Sequence, residues 1–213
     1  MTSATGQVRN PFFSRVWIVM SAHETDALTR LRQENLAELA GRVLEVGAGT
    51  GTNFAHYPDS VEEVVAVEPE ASLLAHARRA AAAAPVPVRV RGETIEALSD
   101  TGPFDAVVCS LVLCTVDDAD GVVRQLFTLL APGGELRYME HVASGGWRGG
   151  LQRAADAAVW PRLFGNCHTH RDTERTIAAA GFVTGTARRQ WTMPRWLPLP
   201  AAEFALGRAV KPR

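Results

Sequence analysis

Apolar and polar residues follow two rhythms along the chain, one typical of strands and one typical of helices. Short apolar runs, several of them rich in Val, predict strands over residues 42–46, 61–67, 86–91, 104–110 and 135–141. The stretches between them predict helices over residues 72–84 and 121–130, a helix opening over residues 52–56 and a helical turn over residues 95–98. This alternation predicts an α/β fold, a doubly wound and mostly parallel sheet with helices on both faces.

The segments on either side of this alternation follow other patterns. Residues 10–21 suit a short apolar helix, and leucines at helical spacing predict a second helix over residues 25–39, so an N-terminal helical cap is expected. After residue 141 the pattern predicts, in order, a glycine-rich loop over 143–150, helices over 151–164 and 172–180, a strand over 182–189 and a last strand or helix over 201–211. We expect one domain over residues 1–213, with the cap at 1–40, the ligand-binding core at 41–141, and a substrate-side insertion with C-terminal strands at 142–213.

Composition excludes several classes of function. The chain has 22 basic and 23 acidic residues and a formal net charge of −1, which argues against a nucleic-acid partner. Its three cysteines form no CxxC pair, which disfavours structural zinc and a disulfide framework. No signal peptide and no apolar run of about 20 residues is present, so we expect a cytoplasmic protein that is not integral to a membrane. Both a monomer and a homodimer remain open.

The most informative segment begins in the first predicted strand and reads Val-Leu-Glu-Val-Gly-Ala-Gly-Thr-Gly over residues 43–51. Glycine at these positions permits positive φ and close approach of the backbone to a ligand, and the carboxyl end of a central strand is where doubly wound sheets bind ligands. The spacing is GxGxG, whereas dinucleotide sites favour GxGxxG. Glu45 would repel a pyrophosphate, but it suits the cationic amino group and sulfonium of S-adenosylmethionine (SAM). Glu68, after the second strand, is placed to accept hydrogen bonds from ribose hydroxyls, a feature that NAD sites share.

These motifs, taken in order, resemble those of class I SAM-dependent methyltransferases. The matching segments are EVGAGTG, VEP, FDAVVCSLVL and LAPGGELRYMEH, within residues 42–141. The resemblance implies SAM as cofactor, S-adenosylhomocysteine as product, and a set of cofactor-binding residues. Those near the methionine part are Glu45, Gly47, Ala48, Gly49, Gly51, Asn53, the Cys109 carbonyl and Leu111; those near the ribose are Glu68 and Pro69; those near the adenine are Glu93, Thr94 and Ile95.

A finer resemblance concerns the acceptor. Residues 111–116, residues 139–142 and the series Asp156, Trp160, Phe164, Cys167 and Arg171 are similar to a subgroup that includes animal methyltransferases of alkyl thiols. The same subgroup includes bacterial chains labelled phospholipid or quinone methyltransferases. The animal members carry an N-terminal membrane anchor, and we expect this chain to have none. The resemblance implies a small-molecule acceptor, a thiol. An O-, N- or C-methyltransferase of a natural product, quinone or lipid headgroup, and a SAM-binding module without catalysis, remain alternatives.

Thiol methylation requires the protein to align the acceptor sulfur with the methyl group and to allow loss of the thiol proton. The pKa of a free thiol is about 8.5. His141, at the end of the fifth strand, is the expected base; alternatively it bonds a loop carbonyl and only shapes the pocket. The other residues expected to bind substrate are Phe13, Trp17, Leu113, Trp160, His168 and Arg171, although ordinary packing could equally explain each aromatic one.

The run Asn-Cys-His-Thr-His over residues 166–170 raises the question of a metal. His168 and His170 would point the same way only on a strand, and no carboxylate is fixed nearby, so no metal site is expected. We expect this segment to form a substrate-binding lid. Arg171 would then pair with Asp156 or Asp172, or meet an acidic substrate.

Overall fold

The computed structural model describes residues 10–100, 102–185, 187–194 and 196–213. Its strands are β1 (Gly41–Val46), β2 (Val61–Val67), β3 (Val88–Arg91), β4 (Phe104–Ser110), β5 (Leu130–His141), β6 (Val183–Thr184), β7 (Arg188–Trp191) and β8 (Glu203–Val210). Its helices are α1 (Pro11–Ala22), α2 (Asp26–Leu36), α3 (Ala71–Ala81), α4 (Ala119–Leu129), α5 (Gly146–Ala157), α6 (Trp160–Leu163) and α7 (Thr173–Ala179). Single 3-10 turns lie at Phe54–His56 and Ile95–Ala97.

The strands form one sheet in the order β3-β2-β1-β4-β5-β8-β6, with β7 also paired to β8. The first five strands run parallel to their neighbours, and β8 runs antiparallel to β5. The sheet is therefore mostly parallel, and the predicted fold class is confirmed. Strand order reverses between β1 and β4, which is the point where open α/β sheets bind ligands.

Buried side chains cover both faces of this sheet. In β1, Leu44 belongs to the core that contains Leu126 of α4 and Ile177 of α7. Its neighbour Val43 belongs to the opposite core, with Leu36 of α2 and Ala77 of α3. Because successive strand residues point to opposite faces, continuous Val-rich runs are what a sheet covered on both sides requires. The predicted arrangement of helices on both faces is thus confirmed.

The region after β5 departs from the sequence prediction. A loop was expected over residues 143–150, but α5 begins at Gly146. Gly149 is buried within α5, where an added Cβ would come within 2.3 Å of the Ser144 carbonyl oxygen, so this glycine serves close packing. The single helix expected over residues 151–164 is also wrong, because it is broken after Ala157. The chain resumes as α6 with Pro161 in its first turn, where the missing proline N–H costs no helical hydrogen bond.

Three shorter elements are also corrected. The helix expected to open at residues 52–56 is one 3-10 turn, and the strand expected over residues 182–189 is divided into β6 and β7. The last segment, left open between strand and helix, is strand β8. Among the described residues, no helix is both long enough and apolar enough to cross a membrane.

Candidate active site

The carboxyl ends of β1, β2, β4 and β5 open on one cavity of about 910 Å³. Phe13 and Trp17 of α1 line it, as do Trp160 and Cys167 of the segment after α5, and α1 meets that segment where Phe13 packs against Gly165. The lining is largely apolar, with a few polar groups at the strand ends. This is the usual composition of a small-molecule site, and it lies at the reversal of strand order.

The glycine loop after β1 supplies bare backbone to this cavity. Gly47 and Gly49 have φ values of 64° and 59°, which side chains rarely adopt. A Cβ at Gly47 would lie 2.5 Å from Val112 Cγ2, and one at Gly49 would lie 2.8 Å from Trp17 Nε1. The loop therefore needs glycine both for its conformation and for the close approach of α1 and of the loop after β4.

Glu68, at the end of β2, joins two loops beneath the cavity. Its Oε2 accepts from the backbone N–H of Gly49 at 2.7 Å, and its Oε1 accepts from that of Glu70 at 2.8 Å. Burial raises the pKa of Glu68 to about 7, while the two backbone N–H groups oppose that shift. Each oxygen keeps a free lone pair, so this carboxylate can accept further hydrogen bonds from a ligand.

Glu45 lies behind the cavity wall rather than in it. Its carboxylate accepts from Asn53 Nδ2 at 3.0 Å and from the Tyr57 hydroxyl at 2.7 Å. Burial raises the pKa of Glu45 to about 7. The sequence suggested that Glu45 contacts a cationic ligand directly. In the structure a chain of hydrogen bonds connects Glu45 to the cavity instead, because Asn53 Oδ1 accepts from Arg32 Nη1 at 3.0 Å.

Arg32 is a cavity-lining cation that the sequence analysis missed. It lies on α2, is only 5% exposed, and its Nε donates to Glu24 at 2.8 Å. A buried arginine on the apolar face of a helix needs anionic or polar partners. Its position among Leu31, Asn35 and Leu36 on the buried face of α2 was the available clue.

Glu140, also missed, fixes the loop after β4. Its fully buried carboxylate accepts from the backbone N–H groups of Val112 at 2.9 Å, Leu113 at 3.0 Å and Cys114 at 3.2 Å. Burial raises its pKa, and these three donors lower it. Because His141 follows Glu140 in β5, the same interaction brings Cys114 beside the imidazole.

Two cysteines and a histidine meet at the far end of the cavity. His141 Nδ1 lies 3.7 Å from Cys114 Sγ and 3.4 Å from Cys167 Sγ, and the two sulfurs are 3.9 Å apart. Both cysteines are buried, His141 is half-buried, and all three line the cavity. The interaction between the two sulfurs, and then the neighbouring His141, lowers the pKa of Cys167. The pKa of Cys114 is raised, mainly by the same pairing and by burial.

Residues 164–171 are tied to the loop after β4 by several bonds. The His168 N–H donates to the Cys114 carbonyl at 2.8 Å. Arg171 Nη1 donates to the carbonyls of Leu113 and Val116, each at 2.7 Å. Asn166 Nδ2 donates to the Thr115 carbonyl at 2.7 Å. The expected pairing of Arg171 with Asp156 or Asp172 is therefore wrong, and Arg171 holds two loops together.

The structure brings about half of the sequence-predicted site residues onto the cavity wall. Those that line it are Phe13, Trp17, Gly47, Gly49, Glu68, Pro69, Thr94, Ile95, Leu111, His141 and Trp160. Those outside the lining are Glu45, Ala48, Gly51, Asn53, Glu93, Cys109, Leu113, His168 and Arg171. Cys109 and Leu113 are fully buried. Glu93 lies 3.9 Å from Arg91 in a weak ion pair. The second group can act on a ligand only through backbone atoms or through other residues.

The cavity fits SAM by its own chemistry. An amino-acid carboxylate can meet Arg32, ribose hydroxyls can meet Glu68, and the backbone at Gly47 and Gly49 leaves room for close approach. Thr94 and Ile95 offer a half-apolar wall suited to an adenine. These groups follow the edge of the sheet in the order in which a nucleoside linked to an amino acid would present its parts.

Comparison with known proteins agrees with this arrangement. The sequence matches a family model described as a methyltransferase domain over residues 20–184. It is 30% identical over 212 residues to the thiol S-methyltransferase TMT1B of Mus musculus, covering 94% of this chain and 85% of that protein. It is 32% identical over 192 residues to the thiol S-methyltransferase TMT1A of Homo sapiens, covering 81% and 74% respectively.

Solved structures share the fold. The N-methyltransferase NodS from Bradyrhizobium japonicum WM9, crystallised with S-adenosyl-L-homocysteine, superposes with a TM-score of 0.65 at 17% identity. That alignment covers 96% of this chain and 89% of NodS. At this identity the likeness concerns the fold, whereas the family match extends over most of the sequence. The chain belongs to the methyltransferase-domain family and is a methyltransferase whose cofactor is SAM.

Proposed function

We propose that this methyltransferase transfers the methyl group of SAM to the sulfur of a small, fairly apolar thiol. The observation that carries the proposal is the cluster of Cys114, His141 and Cys167 on the wall of a largely apolar cavity. The thiol S-methyltransferase names of the relatives support the same acceptor. Each side of the cavity then has a separate task.

The side formed by β1, β2 and β4 holds the cofactor. Backbone at Gly47 and Gly49 would lie against the methionine part, and Glu68 would accept from the ribose hydroxyls. Leu111 and Val112 would border the sulfonium, since both line the cavity after β4. The positive φ of 63° at Leu111 and the hydrogen bond that the Val112 N–H donates to Glu140 fix this part of the cavity wall before any ligand binds.

Aromatic side chains form the rest of the cavity wall, where they would hold the acceptor and exclude water, and Trp17 also lies beside Gly49 of the cofactor loop. Phe13 and Trp17 of α1 stack at 5.8 Å, Trp160 stacks on Phe164 at 4.1 Å, and Phe204 lies against the His141 ring at 4.6 Å. Such aromatic walls favour an apolar acceptor and strengthen any charge–dipole interaction inside. A small apolar molecule with a thiol at one end would fit this part of the cavity.

The chemistry needs a thiolate aligned with the methyl group. SAM supplies an electrophilic methyl that the acceptor sulfur takes with loss of its own proton, leaving a methyl thioether and S-adenosylhomocysteine. His141 is placed to receive that proton, because its imidazole lines the cavity beside the sulfurs of Cys114 and Cys167. A thiol with a pKa of about 8.5 requires no stronger base than imidazole, whereas an alcohol or most phenols would.

Turnover on matched acceptors tests the proposal. The full chain is incubated with SAM and, separately, with thiophenol, phenol, aniline and a short alkyl thiol, and products are identified by mass spectrometry. We expect methyl thioethers and no methylation of oxygen or nitrogen. His141→Gln should lower kcat on thiols on the order of 100-fold. His170→Gln is the control, because His170 contacts Arg153 outside the cavity lining. Turnover on phenol or aniline with none on either thiol would overturn the proposal.

A further inference from the structure

We propose that Cys114, His141 and Cys167 form a zinc site whose open fourth position takes the sulfur of the acceptor. This inference rests on the proposed thiol acceptor and assigns that acceptor a binding partner. The sequence predicted no metal, because none of the usual short ligand spacings is present. His141 is 27 residues from Cys114 and 26 from Cys167, so only the fold shows that they meet.

The distances match those that tetrahedral zinc requires. With Zn–S of about 2.3 Å and Zn–N of about 2.0 to 2.1 Å, two sulfur ligands lie about 3.8 Å apart and a sulfur and a nitrogen lie about 3.5 Å apart. The observed separations are 3.9 Å between the sulfurs, and 3.7 Å and 3.4 Å from the sulfurs to Nδ1. No movement of the backbone is needed to accommodate the ion.

The donor set favours zinc over the common hard cations. Two thiolates and an imidazole suit zinc, whereas magnesium and calcium prefer oxygen ligands. Within the described part of the chain, no further His, Cys, Asp or Glu belongs to this group of candidate ligands. Three protein ligands with one position left open are typical of catalytic zinc, and structural zinc usually has four.

The surroundings hold the ligands in place. The Cys114 N–H donates to Glu140, and the Cys114 carbonyl accepts from His168, the neighbour of Cys167. Arg171 joins the two loops that carry the cysteines. Such supporting bonds orient metal ligands and reduce the reorganisation that binding costs.

The open position faces the space where the acceptor must lie, because all three ligands line the cavity. The indole of Trp160, also on that wall, lies beside Cys167, one of the proposed ligands. Coordination to zinc removes the thiol proton, which passes to solvent, and the bound thiolate then attacks the methyl group. In this arrangement His141 acts as a ligand rather than as the base.

Zinc binding can be measured without reference to turnover. The full chain is reduced, stripped with a chelator and titrated with zinc against a chromophoric competitor, with metal content read by mass spectrometry. Cobalt is added separately to detect thiolate-to-metal charge-transfer absorption. We expect one zinc per chain, no magnesium binding, and affinity reduced on the order of 100-fold or more in Cys114→Ser and Cys167→Ser. Cys109→Ala is the control, because Cys109 belongs to the sheet core outside the cluster.

The results distinguish failure of the zinc site from failure of the proposed thiol methylation. Failure to bind zinc, or equal affinity in Cys114→Ser, Cys167→Ser and Cys109→Ala, overturns the zinc site. Calorimetric SAM binding and far-ultraviolet circular dichroism show whether each variant is folded; if a serine variant is not, Cys167→Ala or His141→Gln replaces it. If the metal-free enzyme methylates thiols and binds no zinc, the zinc inference fails and the thiol function stands. If zinc binds but no thiol is methylated, the function fails and the metal site stands.

Discussion

At the scale of single residues, the site depends on buried acids beneath the glycine loop. Glu68 lines the cavity itself, whereas Glu45 is linked to it by hydrogen bonds through Asn53 and Arg32. Both carboxyl groups are held by donors, yet burial raises each pKa to about 7. A buried acid whose pKa is raised in the folded state lowers the free energy of unfolding when it ionises. Unfolding experiments at two pH values can measure this loss.

The pH dependence of stability should change when Glu45 is replaced by Gln. The pKa of Glu45 is raised from 4.5 to about 7 in the folded chain, so between these values the folded state binds more protons than the unfolded state. This contribution to the free energy of unfolding is present in full below pH 4.5 and is lost as pH rises through about 7. A pKa difference of this size corresponds to a loss on the order of 3 kcal/mol.

Urea unfolding of the cofactor-free protein at pH 5 and pH 8 measures this effect. We expect Glu45→Gln to lose less stability between these pH values than the wild type does. The exposed Glu62→Gln controls for the general effect of removing one charge. Glu68 adds a decline of the same sign in all three proteins, so the comparison isolates Glu45. An unchanged difference between the two pH values in Glu45→Gln would contradict the buried position of this acid.

Residues at strand ends were predictable, and residues that meet across loops were not. Gly47, Glu68, Leu111 and His141 each follow or end an apolar strand, and parallel strands bring their carboxyl ends to one edge. The sequence predicted all four, and all four line the cavity. Contact between Cys114 and Cys167, which are 53 residues apart, depends on the bonds between two irregular loops, and no local pattern encodes that distance.

At the scale of elements, α1 is weakly anchored to the protein. Ser14 is its one buried residue, and two of its aromatic side chains, Phe13 and Trp17, line the cavity. By contrast, α4 buries Val122, Val123, Leu126 and Leu129 against the sheet. Segments with few buried contacts open at low free energy, so the stability of α1 should depend on the ligand beneath it.

Hydrogen exchange should therefore show selective protection of α1. Saturating S-adenosylhomocysteine is expected to slow amide exchange in α1 by about tenfold or more, through contacts with Phe13 and Trp17. Exchange in α4 should slow less, because its packing exists without ligand. Trp17→Ala should reduce the protection of α1. Equal protection of both helices in the wild type, or none in α1 while the ligand binds, would show that α1 does not cover the cofactor.

Arg171 also holds together the two loops that carry Leu113 and Cys167. Arg171→Ala leaves the carbonyls of Leu113 and Val116 without this donor, a loss of about 1 to 3 kcal/mol. We expect KM for the acceptor to rise about tenfold or more, with SAM affinity changed less than twofold. Steady-state kinetics and calorimetry measure the two quantities, with the exposed Arg175→Ala as control. A comparable loss of SAM affinity would mean that Arg171 supports the cofactor side.

The boundaries of the helices and strands show the same difference between features set by local sequence and features set by tertiary contacts. The first four strands were predicted to within two residues, because Val-rich apolar runs between turn residues specify buried strands locally. The fifth was predicted over residues 135–141 but begins at Leu130, which pairs with Phe104 of β4. The break between α5 and α6 was not predicted, since glycines at 145, 146, 149 and 150 indicate a loop by composition. Close packing of Gly149 against Ser144 reverses that preference, and a tertiary contact of this kind cannot be inferred from local sequence.

At the scale of the whole molecule, one sheet edge separates two tasks. In the proposed function, backbone and carboxylates from β1 and β2 would form the cofactor side of the cavity, while the β5 end and the segments after it would form the acceptor side. The cap and the C-terminal segments cover both, so the cavity combines polar groups at the strand ends with aromatic walls. This division explains why cofactor residues are encoded in short motifs and acceptor residues are dispersed.

The central claim is that sulfur is the atom methylated. A single acceptor that carries both a thiol and a hydroxyl, 4-mercaptophenol, tests it by internal competition, since both nucleophiles reach the cavity in one molecule. The enzyme is supplied with SAM bearing a deuterated methyl group, and fragmentation in the mass spectrometer locates the label. We expect the label on sulfur alone. Label on oxygen, or methylation of phenol with none of 4-mercaptophenol, would contradict it.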